Sequence, residues 1–431
     1  MAGFLAFTSI HSQKQTKREQ MSEICQTLKE VLENPQVKSA LNAVKTNLPE
    51  TIEIQKELVL IEAPTGHEET RSKRYKELLE SVGLTDVESD EHNNVWGWIR
   101  GSEGKGNCVL LEGHLDTVFS FGDVKEIIED EEGKLHCPGI CDDTRAIAAN
   151  LAVAKALIDS GIKPFYDIVI GATVCEEGLG GMRGMKWILE DLSKTNHIVA
   201  TVSIDGPTAV DFYANATGMV DWDVIFSGPG GHAWTAFKTP SAIHAAARSV
   251  AMISDLCLPE DPKTTITVSL IEGGQAIHGI AQKASFKINA RSNSQVELNK
   301  LNEELVRIFH LACEQENAKY SNEKVVKVSY EKILDVPAGN QDDDALIIQA
   351  TKAVTAAVGM EANFKPGGCT NTNMSIAREI PAVTLGRGGR EFGTHTLAEW
   401  FDPKGVYLCE QKSILMLMLL AGLTDVSKPI Y

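Results

Sequence analysis

Polar side chains stand where apolar runs stop, at His114-Leu115-Asp116, Asp142-Asp143, Glu176-Glu177, Asp205 and His395. Imidazole nitrogens and carboxylate oxygens together form a mixed ligand set that suits zinc, cobalt or manganese. Each cluster alone has an ordinary reading. A His-x-Asp triplet fits a surface loop, paired acids fit a solvated face, Asp142 fits a helix cap, and Asp205 before Gly206-Pro207 fits a turn. His395 alone fits a loop histidine. As a set they say more. Acids converging at one rim repel one another strongly, and a pair of divalent ions removes that repulsion.

The elements that must position these residues read as alternating strands and helices. Strands are predicted at Asn94 to Ile99, Cys108 to Leu111, Asp167 to Val174, Ile198 to Ile204 and Ala382 to Leu385. Helices are predicted over Cys25 to Leu60, Thr70 to Val82 with Gly83 as its C′ residue, Asp142 to Asp159, Asp343 to Val358 and Ile414 to Leu423. This alternation implies an α/β fold, a mostly parallel sheet flanked by helices. In such sheets, chemistry gathers at the carboxyl ends of the strands. Between about Gly218 and Val336 the order changes to β-α-β-β-α-β, the ferredoxin-like order. The predicted organisation is therefore a larger α/β domain of residues 21–217 plus 336–431 that carries the candidate metal ligands, with a ferredoxin-like α+β domain of residues 218–335 inserted into it.

Composition bounds the function. With 431 residues, 43% apolar and 23% charged, the chain is globular and long enough for two domains. Acids outnumber bases, 59 to 41, and the formal charge of −18 argues against nucleic-acid and anionic-membrane partners. No apolar run reaches the roughly 20 residues a membrane span needs. Met1 to Ile10 is apolar but lacks a preceding basic segment and a small-residue cleavage site, so it is a weak secretory signal. Ser12 to Gln20 is polar and reads as frayed. Nine cysteines without a tight framework fit free thiols in a reducing cytoplasm. Cys137 and Cys141 could suggest a metal clip, but read better as buried apolar residues. The glycines from Gly178 to Gly184 miss the dinucleotide spacing.

The motifs Gly113-His114-Leu115-Asp116-Thr117-Val118, Pro138-Gly139-Ile140-Cys141-Asp142-Asp143, Cys175-Glu176-Glu177-Gly178, Ser203-Ile204-Asp205-Gly206, Gly231-His232-Ala233 and Thr394-His395-Thr396 resemble, in order, those of the M20 family of metallopeptidases. The resemblance spans roughly Thr51 to Leu423. It implies two divalent metal ions, zinc by preference with cobalt or manganese as alternatives. By the same resemblance His114 and Asp205 bind one ion, Glu177 and His395 the other, and Asp142 bridges both. Asp116 orients His114, and Glu176 is the general base. A cis peptide is implied between Asp142 and Asp143. His232 resembles the lid histidine that meets the tetrahedral oxyanion, and Arg291 the lid arginine that grips a substrate carboxylate. Gly368 and Asn371, in Gly367-Gly368-Cys369-Thr370-Asn371, resemble a segment near the substrate.

The implied activity is hydrolysis of a peptide bond in short peptides. An aspartate at position 205 accompanies aminopeptidases in this family, which favours attack from the amino end. N-acyl-amino-acid deacylase or carboxypeptidase activity is the alternative, and a non-catalytic metal-binding assembly protein an alternative of another class. The implied partners are a short peptide or acylated amino acid and a second copy of the chain, joined through the inserted lid domain, in the cytoplasm. Three positions depart from the family pattern: Thr144-Arg145 replaces a lysine, His278 an asparagine and Asn371 an aspartate.

Overall fold

The computed structural model describes residues 20–320 and 323–431. Met1 to Ile10 and most of the polar stretch that follows lie outside the described residues. The chain divides into two compact units, one running to Asn215 and resuming at Gln341–Tyr431, the other Ala216–Asn340.

The first unit is built on a sheet of 8 strands. Its centre is parallel: Asn107–His114 lies between Asp167–Thr173 and His197–Gly206, and the latter pairs with Ala382–Gly386. These strands read as continuous apolar runs because both of their faces are covered; Val109, Leu110, Leu111, Ile168, Val169 and Ile170 are all buried. The margins are mixed: Asn363–Phe364 joins Asp211–Tyr213 in parallel, and the other marginal pairs are antiparallel. Val95–Ile99 joins Asp167–Thr173, Thr85–Ser89 joins Val95–Ile99, and Asp211–Tyr213 joins Ala382–Gly386.

The flanking helices follow from burial. Thr144–Asp159 is alanine-rich and buried along most of its length. Tyr407–Ala421 is buried on almost every side, so its apolar run carries no amphipathic stripe. Arg145 and Glu410 form a buried ion pair between these two helices. The helix Glu69–Ser81 is followed by Gly83 at φ +95°, a backbone state that favours glycine at C′.

The second unit carries four antiparallel strands in the spatial order Thr264–Gly273, Lys283–Ser292, Gly218–Ser227 and Lys327–Val336. Helices Ala242–Ser254 and Gln295–Asn317 cover one face. Gly218–Ser227 alternates buried and half-buried residues, as a sheet covered on one side requires. Trp222, Phe226, Phe286 and Phe309 fill the core beneath the helices.

Candidate metal centre

Parallel pairing brings the predicted ligands to one rim. His114 is the last residue of its strand, Asp205 lies near the end of His197–Gly206, and Glu176 and Glu177 follow Asp167–Thr173. Asp142 and Asp143 precede the helix Thr144–Asp159, and the peptide bond between them is cis. The Asp143 Oδ2 accepts the His114 backbone N–H at 3.0 Å, tying that helix start to the strand end.

The distances define a ring. Nε2 of His114 is 3.2 Å from Oδ1 of Asp142 and 4.0 Å from Oδ1 of Asp205. Nε2 of His395 is 3.1 Å from Oδ2 of Asp142 and 2.8 Å from Oε1 of Glu177. Asp142 thus turns one oxygen toward each histidine. Ligand atoms of His114, Asp142, Asp143 and Asp205 lie within 4.8 Å of one another, as do those of Asp142, Glu177 and His395, and of His114, Glu176 and Glu177.

Asp116 holds three parts of this ring. Its Oδ1 accepts the Glu176 N–H at 3.0 Å, and its Oδ2 accepts the Glu177 N–H at 3.0 Å and the Thr65 hydroxyl at 2.9 Å. The Asp116 backbone carbonyl lies 3.0 Å from Nδ1 of His114. A proton on Nδ1 directed there leaves Nε2 as the lone-pair nitrogen facing Asp142. Cys175 at φ +54° and His395 at φ +66° hold left-handed backbone conformations, which are uncommon for non-glycine residues.

Sequence reasoning missed three residues here. Glu399 accepts the N–H groups of Gly139 at 2.9 Å and Cys141 at 2.8 Å, so it shapes the loop that presents Asp142. Its position four residues after His395 was the available signal. Arg387, buried at 3% exposure, places Nη1 2.7 Å from Asp142 and 3.0 Å from Asp205. Glu391 meets the other Arg387 nitrogen at 3.0 Å. The signal for Arg387 was a cation inside the Gly-rich loop that follows a strand.

Electrostatics match the geometry. Burial pushes the Glu176 carboxyl well above the usual range; His114 opposes this, while Asp205 and Glu177 push the same way. Burial, then Asp142, raises Asp205 to about 7 against the pull of Arg387. Asp142 is held well below its ordinary value despite burial, first by Arg387 and then by the two histidines. Hydrogen bonds to Asp142 and Glu177 raise His395 to about 10. Oδ1 of Asp143 and Oε2 of Glu391 are buried without a hydrogen-bond partner. Crowded carboxylates, two imidazoles and orphaned buried oxygens form a donor set that fits divalent cations.

A cavity of about 330 Å³ opens beside the ring. It is lined by Asp142, Glu176, Glu177, Asp205 and His395 together with Tyr213 and Gly367 to Thr370. Gly368 therefore faces the cavity. Asn371 does not: it is buried, and its amide donates to Glu112 and to Thr173, each at 2.8 Å. The Asn371 amide nitrogen is thus engaged by a buried carboxylate and a threonine hydroxyl, while its Oδ1 is buried without a hydrogen-bond partner. Arg145, the departure after the double aspartate, is likewise turned into the core toward Glu410.

His232 and Arg291 belong to the second unit and are exposed. Nδ1 of His232 accepts the Trp234 N–H at 3.2 Å, and Arg291 Nε donates to Asn289 at 3.0 Å. His278 is exposed in the same unit. None of the nine cysteines is in a disulfide, and Cys137 and Cys141 are buried.

Residues 110–412 match the family described as Peptidase family M20/M25/M40. The chain belongs to this peptidase family. A protein of Escherichia coli strain K12 described as uncharacterized protein YgeY is 26% identical over 185 residues, 41% of this chain and 43% of that protein. A putative [LysW]-lysine/[LysW]-ornithine hydrolase of Pyrococcus abyssi is 46% identical over 69 residues, 16% of this chain and 19% of that protein. The chain thus spans less than half the length of these curated relatives. Among solved structures, a tripeptidase of Staphylococcus aureus superposes with a TM-score of 0.72 at 24% identity, covering 86% of this chain and 98% of that one. A dinuclear metal-binding M20 peptidase of Bacillus subtilis superposes with a TM-score of 0.66 at 13% identity, covering 88% and 99%. At these identities the likeness is one of fold. Among the described residues, no helix is long and apolar enough to cross a membrane.

Proposed function

We propose that the protein is a dinuclear metal-dependent exopeptidase that cleaves short peptides from the amino end. The observation that carries this reading is the buried Glu176 carboxyl beside the ring of His114, Asp142, Glu177, Asp205 and His395. Zinc is the metal the donor set suits best, with cobalt or manganese as alternatives. His114, Asp142 and Asp205 would hold one ion, and Asp142, Glu177 and His395 the other. Ions held there supply Lewis-acid polarisation of the scissile carbonyl and acidify water.

The side chains do the rest. Glu176, raised by burial, suits a general base that takes a proton from the attacking water and returns it to the leaving amine. Asp116 fixes Glu176 through its backbone amide and steers His114. Gly368 lines the wall on which a substrate backbone can lie. His232 and Arg291 are proposed as contacts to the oxyanion and to a substrate carboxylate, on the strength of the motif resemblance. Dimerisation through residues 218–335 belongs to the same proposal, and a monomer by sedimentation at micromolar concentration would count against it. Nine cysteines spread along the chain without a tight framework support a cytoplasmic setting.

Glu176→Gln tests the core of this reading. It is expected to keep its metal and lose about 10²–10⁴-fold in kcat. Unchanged turnover would remove Glu176 from the mechanism. A panel of free-amine tripeptides against N-blocked amino acids tests direction. Turnover of the blocked substrates alone would replace the aminopeptidase reading with that of a deacylase or carboxypeptidase.

A further inference from the structure

We propose that Arg387 is a built-in cation that competes with a divalent ion for the Asp142–Asp205 half of the centre, so that the two halves load with unequal affinity. The inference rests on the reading of the ring as a dinuclear centre, and concerns how that centre fills.

The geometry is specific to one half. Nη1 of Arg387 is 2.7 Å from Oδ1 of Asp142, 3.0 Å from Oδ1 of Asp205 and 3.6 Å from Oδ1 of Asp143. Oδ1 of Asp142 and Oδ1 of Asp205 are also the oxygens that face Nε2 of His114, at 3.2 and 4.0 Å. Oδ2 of Asp142 instead faces His395, beside Glu177. Carboxylates bind a zinc-like ion at about 2.0–2.2 Å. A guanidinium nitrogen within hydrogen-bond reach of two of those oxygens leaves no room for an ion between them. Arginine does not shed its charge in proteins, so the conflict ends by movement and not by deprotonation.

The backbone fixes where the competitor starts. The Arg387 N–H donates to the Gly206 carbonyl at 2.7 Å, which sets the side chain beside Asp205. The fold also supplies a place to go. Glu391 accepts from Nη2 of Arg387 at 3.0 Å, and its second oxygen is buried without a partner. A guanidinium swung away from Asp205 can turn a second N–H onto that oxygen and remain paired. The Glu177–His395 half is then expected to load first. The Asp205 half loads second, as Arg387 moves onto Glu391.

Equilibrium dialysis of metal-free protein against graded free Zn²⁺, with bound zinc counted by elemental analysis, tests this. The native protein is expected to retain one equivalent tightly and to take the second only at free zinc roughly 10–100-fold higher. Arg387→Met is expected to bring the two affinities within about tenfold, whereas Arg387→Lys, which keeps a charge, is expected to preserve a gap. Thermal melts add a second readout: metal-free Arg387→Met should melt below the native protein and gain more from zinc. Two equivalents of equal affinity in the native protein, or a gap unchanged in Arg387→Met, would overturn the inference and leave the dinuclear reading standing. No zinc uptake at all would overturn both. The native measurement is decisive even where a variant fails to fold.

Discussion

Asp116 shows how one buried carboxylate organises a site. Its two oxygens accept the Glu176 and Glu177 N–H groups, and its carbonyl faces the His114 ring. An asparagine offers one acceptor oxygen, so Asp116→Asn leaves one amide facing an NH₂ group. The expected outcome is a zinc affinity lower by roughly 10–100-fold with the fold retained, read by dialysis and circular dichroism. Unchanged affinity would reduce Asp116 to a packing residue. At this scale the candidate cluster was legible in the sequence, because histidines and acids at the ends of apolar runs are local patterns. Arg387 and Glu399 were not. An arginine among glycines and an acid in a loop read as solvated, and only the folded chain shows both buried against Asp142. The partner of the Asn371 amide was not legible either, since the carboxylate that accepts from it is Glu112, distant in the chain.

At the scale of elements, the meeting of two strand ends delivers Asp205 and Arg387 together. A Cβ built on Gly386 would lie 1.5 Å from the Thr208 carbonyl oxygen and 2.5 Å from the Thr208 carbonyl carbon, so only glycine fits this close contact. Gly386→Ala must push the two segments apart. A loss of about 1–3 kcal/mol or more is expected from urea unfolding, with the second zinc affinity altered as Arg387 shifts from Asp205. Native-like stability would show that the strands tolerate separation. The central strands were legible because burial on both faces writes a continuous apolar run. Thr85–Ser89, Asp211–Tyr213 and Asn363–Phe364 were not, being short strands of mixed polarity at the sheet's margins. The helix predicted to begin at Asp142 begins at Thr144, because the two aspartates are used in the loop before it.

At the scale of the whole molecule, a net charge of −18 includes the acids crowded into the ring. Cations bound by the folded chain and not by the unfolded one stabilise it by mass action, about 2.7 kcal/mol at a hundredfold excess over Kd. Removing metal with a chelator is therefore expected to lower Tm, and restoring zinc to recover it. A melting curve indifferent to chelation would separate the ring from stability. The strand and helix order of the second unit is contiguous in the chain, so its pattern can be read from the sequence in one piece. Its observed bounds, Ala216–Asn340, extend slightly beyond those read from the pattern.

The most direct measurement is anomalous scattering at the zinc edge from crystals of the zinc-loaded protein. The expected result is a peak bounded by Asp142, Glu177 and His395, and a second at His114 and Asp205 at higher zinc. Zinc located at the cysteines or at surface acids, with the ring empty, would contradict the account.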